Sequence, residues 1–338
     1  MALEQLTVPL LEWYRDNART LPWREDPTPY HVWLSEIMLQ QTRVAAVLGY
    51  YARFLEECPD VQTLAQLPEE RLMKLWQGLG YYNRARNLQA AARQIVEEHG
   101  GRFPSDYDSI RALKGVGDYT AGAIASIAFG LPVPAVDGNV LRVVARITGD
   151  GGDITTAAMK NRVAEQLRPI IPLRFAGTFT QAMMELGATV CLPNGAPLCH
   201  RCPARELCAA HLEGRTEELP VKAKKKARRV EERTVWLIFR ENRVALRQRP
   251  PKGLLAGLWE YPDGLPEGFA VKDTAFGCTA KHIFTHVEWH MTAMTAEAEG
   301  EELPEGWVWA DRWELRDRYA VPGAFDGMSH LVKERLER

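Results

Sequence analysis

The sequence predicts a multi-domain protein: an all-helical domain, a basic linker and a smaller α+β domain. Three observations predict it. The chain has 338 residues, more than one hydrophobic core usually holds. Up to about residue 215, apolar residues recur at three and four. Leu64, Leu67, Leu72, Leu75 and Leu79 show it, between turn signals such as Pro59-Asp60 and Pro68. From Thr234 the period changes to two.

The elements of the second block follow in order. Residues 234–239 and 243–248 flank Glu241-Asn242 and predict a hairpin. Residues 282–294 alternate again, 307–310 form a short apolar run, and 328–338 predict a closing helix. Between the blocks lies EELPVKAKKKARRVEE, charged and without an apolar face, which reads as a linker. The expected domains are therefore 1–215 and 233–338, joined by a linker over 216–232.

A composition of 46% hydrophobic and 25% charged residues excludes a disordered or fibrous chain. The longest nearly apolar run, 121–136, is broken by Gly122, Gly130, Pro132 and Pro134. It is too short and too broken to span a bilayer, so no membrane is expected as a partner. The opening MALEQLTVPLLEW lacks a basic region and carries Glu4, which predicts no secretory signal and a cytoplasmic protein. Net charge is −2, but residues 221–230 hold six basic and no acidic residues. Nucleic-acid binding would have to come from local patches, not from a general positive field.

Cysteine spacing is the sharpest local signal. Cys191, Cys199, Cys202 and Cys208 fall within eighteen residues, while Cys58 and Cys278 stand alone. Nothing else suggests an oxidising compartment, so disulfides are disfavoured. Four thiolates on a short loop suit either a tetrahedral zinc or an iron–sulfur cluster.

The stretch 113–121 (LKGVGDYTA) places a Gly-x-Gly turn before a small-residue helix. Two glycines permit positive φ, and the N–H groups of the next helix suit a phosphate. No strand precedes it, so a dinucleotide fold fails. A DNA-backbone clamp of the helix–hairpin–helix kind fits an all-helical context, with a plain tight turn as the alternative. Two carboxylates sit in apolar surroundings. Glu36 lies within WLSEIML, and Asp137 follows PAV and precedes GNV. Burial raises a carboxyl pKa, and one protonated plus one ionised carboxyl is the arrangement that breaks glycosidic bonds. The plainer alternative pairs Glu36 with an arginine and makes Asp137 a helix cap.

Several segments in this order resemble the adenine DNA glycosylases of the MutY type, within the helix–hairpin–helix, iron–sulfur glycosylase superfamily. They are 21–24 (LPWR), 33–43 (WLSEIMLQQTR), 78–87 (GLGYYNRARN), the hairpin, 136–139 (VDGN) and 184–187 (MELG). The C-terminal block resembles the family's Nudix-like domain through 254–262 (LLAGLWEYP) and 282–286 (HIFTH).

The resemblance implies a helical glycosylase domain with its hairpin at about 110–125 and a [4Fe–4S] cluster loop at 191–208. A Nudix-like domain that reads 8-oxoguanine would follow. The implied partner is double-stranded DNA with adenine opposite 8-oxoguanine or guanine, bound by a monomer. The adenine would be flipped out of the duplex. Glu36 would then protonate its N7. Asp137 would stabilise the oxocarbenium-like sugar, directly or through a transient covalent bond. Tyr119 and Asn139 would position these groups. DNA contacts would come from Arg24, Gln41, Tyr81, Lys114, Gly115 and Gly117, with Tyr82 packed inward. Phe284, Thr285 and His286 would sense the lesion. Cys191, Cys199, Cys202 and Cys208 would ligate the cluster.

Relatives resembling endonuclease III carry a Schiff-base lysine just after the hairpin. Here that position is Tyr119, which cannot form an imine, so a single-step, monofunctional hydrolase is expected rather than a glycosylase/lyase. The Glu-rich helix of Nudix hydrolases is missing after Gly257-Leu258-Trp259, which implies a reader without hydrolase activity. A lesion-binding protein without catalysis is disfavoured by the intact Glu36 and Asp137. Three departures stand out: seven residues between Cys191 and Cys199 where six are usual, Lys114 in place of Pro, and Asp118 in place of Arg. Asp118 would repel phosphate unless it turned away or capped the helix.

Overall fold

The computed structural model describes residues 3–223 and 227–337. Its contacts divide the chain into two units, Met1–Gln66 with Asn87–Lys224, and Leu67–Arg86 with Lys225–Arg338. No described helix is long and apolar enough to cross a membrane.

The first unit is helical, as its periodicity predicts. The helix Pro29–Leu39 starts where the Thr28 side chain accepts from the His31 N–H and Pro29 occupies the first turn. It is apolar nearly all round, and residues 32–38 are buried, which marks it as a core helix. Asp118–Phe129 is another, ended by Gly130 in the left-handed region at φ +68°. Gly138–Thr148 starts on the side chain of Asp137, which accepts from the Val140 N–H, and ends at Gly149. Asp118–Phe129 packs against both Pro29–Leu39 and Ala176–Thr189, and Gly138–Thr148 packs with Ala176–Thr189 around a core that includes Leu10, Val144, Phe179, Met183 and Leu186.

Close approach sets this packing. A Cβ on Gly122 would lie 2.2 Å from the Pro134 carbonyl oxygen, and one on Gly187 would lie 2.5 Å from the Asn139 Cβ. The two bare positions let the segment around Asp137 settle between the helices Asp118–Phe129 and Ala176–Thr189.

The second unit contains a mixed sheet of β1 (Arg229–Arg240), β2 (Arg243–Gln248), β3 (Trp259–Glu260), β4 (Val271–Ile283), β5 (Val287–Ala298) and β6 (Trp307–Ala310). Its order is β3-β2-β1-β5-β4, with β6 also on β2. Among the described residues only the β1–β5 pair is parallel; the other pairs are antiparallel. The expected hairpin closes through Glu241 and Asn242, with Glu241 at φ +52°. The helix Asp326–Leu336 contributes Met328, Val332 and Leu336 to a core with Leu237, Trp289 and Phe325.

The linker expectation needs correction at both ends. Leu219 is fully buried in the helical core, and Val221 accepts from the Ile154 N–H at 3.1 Å. At the far end, residues 229–232 already belong to β1, where Arg229 faces Val287 and Glu232 faces His290. Backbone pairing with β5 makes this end a strand, although its side chains, Val230 included, stay mostly solvated. Residues 224–226 of the expected linker lie outside the described residues.

Gly122→Ala is expected to destabilise the helical unit by about 1–3 kcal/mol, because its methyl must displace a backbone carbonyl. The urea midpoint of unfolding measures this, and an unchanged midpoint would contradict the close approach.

Candidate active site and thiol cavity

Glu36, Tyr119, Asp137 and Asn139 line one open cleft in the helical unit, with a volume of about 1130 Å³. Glu36 comes from the core helix Pro29–Leu39 and is only 7% exposed. Tyr119 stands in the first turn of Asp118–Phe129 and donates its hydroxyl hydrogen to Glu36 Oε2. Asp137 is the N-cap of Gly138–Thr148. Its Oδ1 accepts from the Val140 N–H at 2.8 Å, and its Oδ2 accepts from the Asn139 amide at 2.8 Å. The plainer sequence alternative for Asp137 is therefore also true: it caps a helix and faces the cleft at once.

The two carboxyls have different electrostatic surroundings. Burial raises the Glu36 pKa to about 7, and the negative charge of Asp137 adds to the rise. The Tyr119 hydrogen bond and the Arg24 charge pull the other way without cancelling it. Burial also raises Asp137, but the Val140 N–H, the Asn139 amide and Arg142 favour its ionised form. Near neutral pH, Glu36 thus holds a proton much of the time. Asp137 is the carboxyl supplied with donors suited to an anion.

Support for this pair comes from residues that the sequence did not single out. Arg142 donates to Asn139 Oδ1 at 2.9 Å, to the Gly187 carbonyl at 2.7 Å and to the Cys191 carbonyl at 2.8 Å. It lies three residues after Asn139 on one helix face, a spacing that could have flagged it. Glu185 is fully buried and takes Arg19 at 2.6 Å and Arg24 at 2.7 Å. Arg24 is therefore engaged in the cleft wall rather than held free for a phosphate. Gln41 also lines the cleft, exposed and at φ +60°. The lining includes Arg43, Lys160 and Lys222 as well as Arg19, Arg24 and Arg142, against three carboxylates.

The other predicted residues lie elsewhere. Lys114, Gly115 and Gly117 form the exposed turn between Tyr107–Ala112 and Asp118–Phe129. Gly115 has φ +75°, and a Cβ there would meet Asn87 at 2.6 Å. Gly117 does not use positive φ; it is extended at −94° with open space beside it. Asp118 does not face outward as a bare charge, since Arg111 pairs with it. In the second unit Tyr81 is 48% exposed and Tyr82 is buried. Phe284 packs between His282 and Trp289 at 4.5 and 4.8 Å between ring centres. Thr285 and His286 are exposed, so Phe284 anchors the loop that presents them.

Cys191, Cys199, Cys202 and Cys208 line one small cavity with Arg146, Arg205 and His211. All four are free thiols. Burial raises the pKa values of Cys199, Cys202 and Cys208, that of Cys202 to about 12, and the charges of neighbouring cysteines add to each rise. Arg146 donates to Cys191 Sγ at 3.3 Å. Among the described residues no three His, Cys, Asp or Glu side chains converge on a single-ion site. Four sulfurs around a common cavity, with cationic donors on its wall, chemically suit an anionic thiolate-ligated cluster.

Comparison with known proteins now places the chain. Residues 34–169 match the HhH-GPD superfamily base excision DNA repair protein model, and residues 234–328 match the NUDIX domain model. The chain also resembles the structure of a thermostable thymine-DNA glycosylase, with TM-score 0.57 and 27% identity, over 63% of this chain and 97% of that one. An adenine DNA glycosylase of Rattus norvegicus is 39% identical over 305 residues, covering 75% of this chain. This chain spans only 59% of that relative's length. An adenine DNA glycosylase of Buchnera aphidicola is 35% identical over 257 residues, 75% of this chain and 73% of the relative. The chain belongs to the adenine DNA glycosylase family.

The Glu36 pKa has a stability consequence. It is raised in the folded state, so its contribution is full below the unfolded pKa of about 4.5 and lost as pH rises through about 7. Glu36→Gln removes the cost of burying the anion. At pH 8 the variant is expected to be more stable than the parent by ~1–3 kcal/mol, and at pH 4 to show no such gain. Urea titrations at the two pH values check the sign.

Proposed function

We propose that this chain removes adenine mispaired with 8-oxoguanine or guanine from duplex DNA, by single-step hydrolysis of the N-glycosidic bond. The observation that carries the reading is the carboxyl pair in one cleft: Glu36 buried and held near neutrality, and Asp137 supplied with anion-favouring donors. A paired base cannot reach such a cleft while stacked, so the adenine has to be flipped out.

In this reading, protonated Glu36 donates its proton to adenine N7. The electrons of the bond between the base and the sugar then leave with a neutral base instead of a poor anion. Positive charge develops on the sugar, and the Asp137 carboxylate stabilises it. Water adds at the same carbon and gives up a proton, which restores the acid. Tyr119 orients the Glu36 carboxyl, and Asn139, held by Arg142, orients Asp137. Tyr119 has no amine, so no imine forms and the strand is not cut. The cationic lining of the cleft and the Lys114–Gly117 turn supply phosphate attraction. Thr285 and His286 supply contacts to the opposite base, with Phe284 holding their loop.

The four cysteines would hold a [4Fe–4S] cluster. When bound, it would brace the loop 191–208 against the helix Gly138–Thr148, and it would supply no electrons to a hydrolysis. Protein purified without oxygen is expected to contain about four irons per chain, as a Cys₄ site binds. Cys202→Ser should lose iron. Stoichiometric zinc without iron would refute the cluster while leaving the glycosylase standing.

Duplexes with adenine opposite 8-oxoguanine, guanine, thymine or cytosine, followed by alkali, test the activity directly. Release is expected opposite the first two. Glu36→Gln should reduce single-turnover release by ~10²–10⁴-fold or more while duplex binding persists. For the parent chain the rate should fall as pH rises above about 7, because the acid loses its proton. Near-normal release by the variant would remove Glu36 from its role.

A further inference from the structure

Residues Leu67–Arg86 fall within the helical family match, yet they pack with Lys225–Arg338 in the second unit. Side-chain donors set against backbone carbonyls join the two segments. Lys74 Nζ donates to the carbonyls of Leu315 at 2.7 Å and Tyr319 at 3.2 Å, and to Gln77 Oε1 at 2.6 Å. Gln77 Nε2 donates to the Val321 carbonyl at 2.6 Å, and Arg86 to that of Ala256 at 2.7 Å. Leu315 lies in the last turn of the helix Arg312–Asp317, where carbonyls lack helical partners and a cation is favourably placed.

The turn that follows Lys74 leads directly to Tyr81. Trp76 is fully buried and donates its Nε1–H to the Gly80 carbonyl at 3.1 Å. Arg84 donates to the carbonyls of Leu79 and Gly80 and lies against the rings of Trp76 and Tyr81. Gly78 and Gly80 adopt positive φ, as does Tyr81 at +48°. A non-glycine residue keeps that conformation only where its surroundings over-determine it. Held this way, the Tyr81 hydroxyl sits 3.2 Å from Thr285 Oγ1.

The geometry points to Lys74 as a positioning residue for opposite-base reading: its ammonium, set between the Leu315 and Tyr319 carbonyls, fixes Tyr81 beside Thr285 before any duplex arrives. The inference rests on the proposed function, since it assigns no contact between Lys74 and DNA. Lys74 acts through the turn, and Gln77 completes the clamp by linking Lys74 to Val321.

The test is the ratio of single-turnover adenine release opposite 8-oxoguanine to that opposite guanine, measured on the full chain. Lys74→Met keeps the apolar stem and removes the donors. It is expected to lower the ratio by about threefold to tenfold, the size of one lost hydrogen bond. Gln77→Ala, which changes no charge, should lower it in the same direction. In a Tyr81→Phe background the Lys74→Met effect should vanish, because both changes break one chain of contacts. A merely structural loss would instead lower both rates together and add to the Tyr81→Phe effect. Additive effects, or an unchanged ratio in Lys74→Met, overturn the assignment of Lys74. A parent chain that releases adenine from neither duplex overturns the function beneath it, which is a separate and recognisable result.

Discussion

The burial of one carboxyl, Glu36, is the constraint on which the candidate active site depends. An ionised carboxylate in the apolar face of a core helix is costly, and the site relieves that cost by keeping a proton on it near neutral pH. The Tyr119 hydroxyl satisfies one oxygen and orients the group without supplying enough stabilisation to ionise it. The same residue that a hydrophobic core would exclude is thereby held as an acid.

Burial raises the pKa of Asp137 as well, but more donors meet its carboxylate. Its oxygens are occupied by a helix N-terminal N–H and by the Asn139 amide, and Asn139 is fixed in turn by Arg142. Arg142 continues to the Cys191 carbonyl, so the end of the cysteine loop and the orientation of Asp137 share one guanidinium. Bare Cα positions at Gly122 and Gly187 allow the neighbouring backbones to come close enough for this network to form. Helix capping thus fixes this carboxylate in the lining of the cleft.

Charge follows the same logic of placement. The chain as a whole carries −2, yet the cleft gathers six arginines and lysines from separate stretches of sequence around three carboxylates. One of those carboxylates, Glu185, is wholly engaged with two of the arginines. Asp118, which looks hostile to phosphate when read along the chain, is neutralised by Arg111 from the preceding helix. Local fields of this kind, rather than net charge, decide where a polyanion can dock.

Much of this protein was legible in the sequence because its signals are local. Periodicity separated the helical block from the strands, the Glu241-Asn242 turn marked its hairpin, and the spacing of four cysteines marked their shared cavity. Glu36 and Asp137 stood out as carboxylates embedded in apolar text. The strand character of residues 229–232 was not legible, because it comes from backbone pairing with β5 and leaves no apolar pattern. The packing of Leu67–Arg86 with the C-terminal residues was hidden for a related reason: several of its contacts are single donors meeting main-chain carbonyls, which carry no residue identity. Arg142, Arg19 and Glu185 carry no local signal of their roles, because most of their partners lie tens of residues or more away. The sequence by itself determined which chemical groups exist and which elements carry them; the tertiary structure decided which are buried together, and burial sets the protonation of Glu36 and the pairing of every charge around it.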